Sequence, residues 1–225
     1  MSISVKICGV KTEDAVKAAV NGGAAFLGFN FYQPSPRFVT PELAAQLASL
    51  VPQSIQKVAL FVDPSDGELE DILTVFNADL IQLHGMESPS RVADIKRIYS
   101  KQIIKAISIS HVDDLEETVA YEQVVSWFLF DARPPKNVDL PSGLSSEASG
   151  ALPGGNALSF DWTIMREYAS SLPWMLAGGI NASNLKQAIQ QSGAKAVDVS
   201  SGVESTRGQK DAGLIQGLLE TAKSR

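Results

Sequence analysis

Cysteine is almost missing from this sequence: Cys8 is the single one in 225 residues. One thiol closes no intramolecular disulfide, and with only two histidines, His84 and His111, there is no Cys/His set for a structural zinc, so no metal is expected. Long apolar runs are also missing. The opening Met1-Ser2-Ile3-Ser4-Val5-Lys6 lacks the apolar region of a signal peptide, and no uninterrupted apolar stretch is long enough to span a bilayer, which predicts a soluble, cytoplasmic protein with no membrane partner. Positive charge is scarce and scattered: 19 Lys and Arg stand against 25 Asp and Glu, for a net charge of −6. That pattern argues against the basic footprint of a nucleic-acid binder, while leaving room for a small anion held by local groups. The dinucleotide fingerprint is absent as well, because Cys8-Gly9-Val10-Lys11 is not a G-x-G-x-x-G turn.

What the chain does contain is apolar residue in quantity, 44% of the total, enough to bury one full core. Short strand-like runs alternate with amphipathic helical stretches from end to end, the pattern of βα units around a parallel sheet. The runs begin at Val5-Lys6-Ile7-Cys8, Ala24 to Phe31, Val58 to Val62, Asp79 to Leu83, Ile103 to Ile109, Val124 to Phe130, Trp174 to Ala177 and Ala196 to Val199. Thr12, Thr40-Pro41, Ser65 and Ser88-Pro89 are placed as helix caps, with Ser65-Asp66-Gly67-Glu68 at capping-box spacing. Leu43, Leu47 and Leu50 form an expected stripe, as do Leu214, Ile215, Leu218 and Leu219. A helix over 112–121 is expected with a thin apolar face, and Asp161 and Asn181 are expected to open helices. Eight units in 225 residues predict a single-domain (β/α)8 TIM barrel over residues 1–225, whose functional groups gather where strands end. A doubly wound sheet is the competing architecture. Residues 132–159 are Pro- and Gly-rich without helical or strand period and are expected to form one long loop.

Two strands surface in the same way, an apolar run that ends on one ionisable group: Cys8 after the first and Asp131 after the sixth. A buried Cys is most often a small hydrophobe, and an Asp after a strand is often a helix cap. The loops after strands seven and eight hold Gly178-Gly179 and Ser200-Ser201-Gly202. In barrels these loops commonly take a phosphate on backbone N–H groups, although Gly-Gly alone is also a plain tight turn. Barrel order sets strands six, seven, eight and one side by side, so Asp131 and Cys8 are expected to flank that phosphate cup, an arrangement suited to general acid and base chemistry without a metal. Arg37, in Pro34-Ser35-Pro36-Arg37 after strand two, could grip a carboxylate bidentately; in isolation it would be a solvated surface charge. His84 is read as a pocket wall or hydrogen-bond donor, His111 as a surface residue.

Lys6-Ile7-Cys8-Gly9, Ser35-Pro36-Arg37, Gln82-Leu83-His84-Gly85, Phe130-Asp131, Phe160-Asp161-Trp162, Leu176-Ala177-Gly178-Gly179 and Asp198-Val199-Ser200-Ser201-Gly202-Val203-Glu204, taken in this order, resemble the phosphoribosylanthranilate isomerases of tryptophan biosynthesis. The resemblance implies an Amadori rearrangement of N-(5-phosphoribosyl)anthranilate to 1-(2-carboxyphenylamino)-1-deoxyribulose 5-phosphate, with no cofactor. It implies Asp131 as general acid at the ribose ring oxygen, Cys8 as general base at C2, Arg37 on the anthranilate carboxylate, and Gly178, Gly179, Ser200, Ser201 and Gly202 on the phosphate. Cys8 would then have to be partly thiolate, which a nearby cation can promote from the ordinary value of about 8.5. A phosphorylated small molecule is the expected partner, and the chain is expected as a monomer or homodimer.

The family pattern reads Gly-Gly-Thr-Gly where this chain has Gly154-Gly155-Asn156-Ala157, and the loop before it is extended through residues 142–151. The extension is expected to be a dispensable surface excursion and the 154–157 turn a lid. Two competing functions are the sister isomerase of histidine biosynthesis, which would carry Asp in place of Cys8 and a second phosphate loop, and a non-catalytic phosphate-binding barrel.

Overall fold

The computed structural model describes residues 3–132 and 160–224. The 142–151 excursion and the 154–157 turn lie outside the described residues. Eight parallel strands close into a barrel in chain order: β1 (Ser4–Cys8), β2 (Phe26–Asn30), β3 (Gln56–Phe61), β4 (Leu80–Leu83), β5 (Gln102–Ile109), β6 (Trp127–Ala132), β7 (Trp174–Leu176) and β8 (Ala196–Val199). The doubly wound alternative is thereby set aside, since β1 pairs with both β2 and β8.

Around the barrel run α1 (Glu13–Gly22), α2 (Pro41–Ala48), α3 (Asp66–Val75), α4 (Pro89–Tyr99), α5 (Leu185–Ser192) and α6 (Ala212–Lys223). Their ends follow from local chemistry. Thr12, Thr40, Ser65, Ser88 and Asp211 each accept a backbone N–H of the first turn, and Ser65 with Glu68 completes a reciprocal capping box. Gly23 and Gly193 end α1 and α5 in the left-handed conformation. Asn181 anchors the turn that leads into α5, accepting from the backbone and side chain of Ser183.

Several helical expectations are corrected. Residues Val112–Ala120 form a 3₁₀ helix, and so do Trp162–Glu167 after the Asp161 cap. The first of these has four acids and buries only Thr118, while Val112 and Val119 are exposed. With no apolar face to pack, nothing offsets the poorer geometry of the tight turn. In α2 the buried face is Ala44 and Leu47, with Leu43 and Leu50 exposed; in α6, Ile215, Leu218 and Leu219 are buried and Leu214 is exposed. No helix among the described residues is long and apolar enough to cross a membrane.

Side chains alternate across each strand, so the barrel makes two apolar layers. Val5, Ile7, Leu27, Phe29, Phe128 and Phe130 face outward into the layer shared with the helices. Phe26, Val58, Leu80, Ile104, Leu129 and Met175 fill the inside. The inward parity then continues toward the C-terminal ends of the strands as polar or reactive groups, Lys6 and Cys8 on β1, Gln82 on β4, Asp131 on β6 and Asp198 on β8, with Gly28 on β2 leaving space beside them. The functional end of the barrel is a consequence of that switch from apolar to ionisable along one face.

Candidate functional site

Cys8 ends β1 and is 5% exposed. Its carbonyl accepts the Ser200 hydroxyl at 3.1 Å, tying β1 to the loop after β8. Beneath it, Lys6 is fully buried and donates to Asp198 Oδ1 at 2.8 Å. Burial pushes the Cys8 thiol up, and the Asp198 carboxylate adds to that push, while the ammonium groups of Lys6 and Lys210 pull it down; the net direction is upward. The expected nearby cation is present, then, but it is shared with an acid and set in a dry site. Lys6 itself is raised: burial works against its charge, and Asp198 and Cys8 more than restore it.

Asp131 lies across the barrel mouth on β6. Its Oδ1 accepts the N–H of Ala132 at 2.9 Å, and its Oδ2 is 3.5 Å from His84 Nε2. His84 follows β4, its backbone N–H bonded to the Phe61 carbonyl. The Gln82 amide nitrogen is 3.0 Å from His84 Nδ1, which makes Nδ1 the acceptor and leaves the ring proton on Nε2, on the side of Asp131. His84 Nε2 and Gln82 Oε1 are buried without a hydrogen-bond partner among the described residues. His84 is therefore a donor turned toward the acid as well as a wall.

The loop carrying His84 is held by groups that sequence reasoning missed. Lys105 on β5 is buried and donates to the Gly85 carbonyl at 2.7 Å and to Glu87 Oε2 at 3.0 Å. Glu87 Oε1 accepts the N–H of Gly85 at 3.1 Å and of Asp63 at 3.0 Å, and Tyr121 donates its hydroxyl to the Glu87 carbonyl.

Arg37 is buried rather than solvated. Its Nε donates to Glu204 Oε1 at 2.7 Å and its Nη2 to Glu204 Oε2 at 3.0 Å. The backbone of its loop is pinned by Ser35, whose hydroxyl accepts from Arg37 N and from Asn30 Nδ2, each at 3.2 Å. Glu204 belongs to a short hairpin, β9 (Glu204–Thr206) and β10 (Gln209–Lys210), that follows β8. Lys210 from the same hairpin donates to Glu204 and, at 3.0 Å, to the Ser200 carbonyl. Burial alone would raise the Glu204 carboxyl, but the bonds from Arg37 and Lys210 outweigh it and hold the group at about 2. Desolvation lowers Lys210, with Glu204 working against that fall.

The loops after β7 and β8 meet as expected. Gly178 and Gly179 have φ of +87° and +65°, a region that disfavours side chains. A Cβ on Gly202 would overlap the carbonyl oxygen of Ile180, so the two loops touch backbone to backbone. Ser201–Val203 form one 3₁₀ turn. Among the described residues, the N–H groups of Gly179, Ser201 and Gly202 donate to no backbone carbonyl outside the helices and strands, and backbone N–H groups of this kind can take an anion. No group of three or more His, Cys, Asp or Glu that could hold a metal occurs among the described residues.

The arrangement is a barrel mouth with a thiol on one side, a carboxyl on the other, two loops of permissive backbone between them, and a guanidinium on the strand-two side. Comparison with known proteins identifies the family. The family model described as N-(5'phosphoribosyl)anthranilate (PRA) isomerase matches residues 5–221. An N-(5'-phosphoribosyl)anthranilate isomerase of Rhodospirillum centenum is 48% identical over 222 residues, covering 99% of both chains. Among solved structures, a phosphoribosyl anthranilate isomerase of Thermotoga maritima superposes with a TM-score of 0.82 at 29% identity, covering 99% of this chain and 100% of that one. A phosphoribosyl anthranilate isomerase structure in complex with reduced 1-(o-carboxyphenylamino)-1-deoxyribulose 5-phosphate superposes with a TM-score of 0.80 at 28% identity, with the same coverage.

Proposed function

The chain belongs to the N-(5'-phosphoribosyl)anthranilate isomerase family, and from that premise we propose that Cys8 and Asp131 are the general base and general acid of its reaction. That reaction is the Amadori rearrangement of N-(5-phosphoribosyl)anthranilate to 1-(2-carboxyphenylamino)-1-deoxyribulose 5-phosphate in tryptophan biosynthesis. It is an isomerisation in which no atoms are gained or lost, and it calls on proton transfer alone.

The phosphate of the substrate sits on the N–H groups of Gly178, Gly179, Ser201 and Gly202 and on the Ser201 hydroxyl, between β7 and β8, while the Ser200 hydroxyl, given to the Cys8 carbonyl, ties that loop to β1. Arg37 takes the anthranilate carboxylate. With both ends fixed, C1 and C2 of the ribose lie between the inward groups of β6 and β1. Asp131 gives its proton to the ring oxygen as the bond from that oxygen to C1 breaks, leaving a protonated Schiff base between C1 and the anthranilate nitrogen. The carboxylate left behind faces the Nε2 proton of His84. The Cys8 sulfur then takes the proton from C2, and the C2–H electron pair neutralises the iminium to give an enolamine. Protonation at C1 and loss of the proton from the C2 hydroxyl yield the ketone.

One observation carries this reading: Cys8 and Asp131 end the inward faces of β1 and β6 on either side of the glycine and serine loops. A fluorescence assay that follows turnover of phosphoribosylanthranilate tests it. Cys8→Ala and Asp131→Asn should each lower kcat by at least about 10²-fold, the usual floor for a positioned acid or base, with circular dichroism unchanged. Near-normal kcat in either variant would remove that residue from its role. The same reading places the protein in the cytoplasm, where its one buried thiol stays reduced.

A further inference from the structure

A buried thiol is a poor base unless something nearby favours its anion, and the surroundings of Cys8 hold one arrangement that does. Lys6 and Cys8 are two residues apart on β1 and share its inward face. In register, Lys6 lies opposite Asp198 on β8 and Cys8 opposite Gly28 on β2. A methyl group placed on Gly28 would lie 3.1 Å from the Cys8 sulfur and 3.1 Å from the Lys6 nitrogen at once. Gly28 thus borders the place where ammonium and sulfur come together, and its backbone φ is not in the left-handed region. Side-chain space, and not backbone conformation, is what this glycine supplies.

We propose that Lys6 is a positioning residue for Cys8: its ammonium, anchored by Asp198, favours the sulfur's anion against the burial that opposes it, and Gly28 leaves room for both groups. This rests on the reading of Cys8 as the general base. The charged groups that face the thiol are Lys6 from β1, Asp198 from β8 and Lys210 from β10. Lys6 donates to Asp198 and acts on the Cys8 sulfur through its charge, while Lys210 is committed to Glu204 and the Ser200 carbonyl. A carboxylate that keeps Lys6 charged in a dry site also competes for it, so Asp198 both anchors the cation and tempers its pull on the sulfur.

Because Cys8 is the only cysteine in the chain, the ultraviolet absorbance of thiolate followed against pH reports this residue without activity as a readout. In the full-length protein, Lys6→Met should move the thiolate titration and the acid limb of the kcat/KM profile together to higher pH. It should lower kcat at least about tenfold while KM changes little, the signature of a lost proton-transfer partner. Lys6→Met leaves Asp198 buried and unpaired, so Gly28→Ala is the second variant: it keeps both charges and wedges a methyl between ammonium and sulfur. The same upward displacement is expected there. If Gly28→Ala and Lys6→Met titrate as the parent does while Cys8→Ala is inactive, the inference fails and the base assignment stands. If Cys8→Ala keeps near-normal kcat, the base assignment fails and takes the inference with it.

Discussion

Arg37 and Glu204, 167 residues apart in the chain, meet as a two-pronged buried ion pair, with Nε on one carboxylate oxygen and Nη2 on the other. The pair aims a side chain that would otherwise sweep a wide arc. Arg37 comes from the loop after β2 and Glu204 from the hairpin after β8, so the contact spans β1, the strand that carries Cys8. An arginine fixed in this way loses less freedom when it engages a planar anion, which is the property a carboxylate subsite needs.

Arg37→Ala should therefore weaken binding of a product analogue bearing the anthranilate carboxylate by about 10- to 100-fold, the range for hydrogen bonds to charged groups. Arg37→Lys should restore only part of it, because an ammonium lacks the planar group that grips Glu204 with two nitrogens and is thereby aimed. Glu204→Gln should raise KM more than it lowers kcat. Calorimetric titration with inorganic phosphate serves as the control and should be nearly unchanged by Arg37→Ala. If phosphate binding were lost and carboxylate binding spared, the two ends of the site would be reversed.

Glu204 also ties stability to pH. Its folded-state carboxyl stands at about 2 against an ordinary 4.5, so the group stabilises the fold above about pH 4.5 and that contribution disappears as pH falls toward 2. The displacement corresponds to on the order of 3 kcal/mol at neutral pH. Denaturant titrations at pH 6 and pH 3 should show a smaller loss of stability on acidification in Glu204→Gln than in the parent. Equal losses would mean that Glu204 is not the linked group.

Much of this site could be read in the sequence because the informative residues break a local rule. Cys8 and Asp131 are ionisable ends on apolar strands, and Gly178-Gly179 and Ser200-Ser201-Gly202 are permissive backbone in the two loops where barrels take phosphate. The partners that orient these groups are not legible in the sequence, since closure of the barrel makes two of the pairings, Lys6 with Asp198 across 192 residues and Arg37 with Glu204 across 167, and the packing of neighbouring β4 and β5 makes the third, Lys105 with Glu87 across 18. One signal for the first pair was available. Lys6 and Asp198 each interrupt an apolar strand, Val5-Lys6-Ile7 and Val197-Asp198-Val199, a buried charge needs a partner, and a closed barrel makes first and last strands neighbours. Helical type was harder to read. The stretch Val112–Ala120 has acids placed like a helix start but buries only Thr118 and rests only Leu115 on the core, and packing, not propensity, decides between α and 3₁₀.

Two glycines that look alike in the sequence should behave in opposite ways. Gly202 has no room, because a Cβ there would overlap the Ile180 carbonyl, so Gly202→Ala must part the two phosphate loops. A loss of roughly 2 kcal/mol or more is expected, together with weaker phosphate binding. Gly217, inside α6, has nothing within 4 Å of the same position. Gly217→Ala should stabilise by about 0.5–1 kcal/mol through helix propensity alone. Thermal unfolding of both variants separates the cases, and a stabilised Gly202→Ala would mean that the loops do not touch.

If Asp131 is the acid proposed above, it gives up its proton as the sugar ring opens, and what faces the new carboxylate decides how costly that is. One oxygen already holds the N–H of Ala132, and the other looks at His84 Nε2 from 3.5 Å, a separation a small closure would convert into a hydrogen bond. His84 can donate there only while Gln82 keeps Nδ1 as the acceptor. His84→Ala should lower kcat by about tenfold or more with little change in KM, because the donated bond matters most after the proton has left. Gln82→Leu should reproduce part of that loss without touching any atom of the acid, since it frees the ring to adopt the other tautomer. Gln82→Glu should be worse than Gln82→Leu: a carboxylate would claim a proton on Nδ1 and turn a bare nitrogen lone pair toward Asp131. If Gln82→Leu and Gln82→Glu both kept the parent kcat, His84 would be a wall of the site and nothing more.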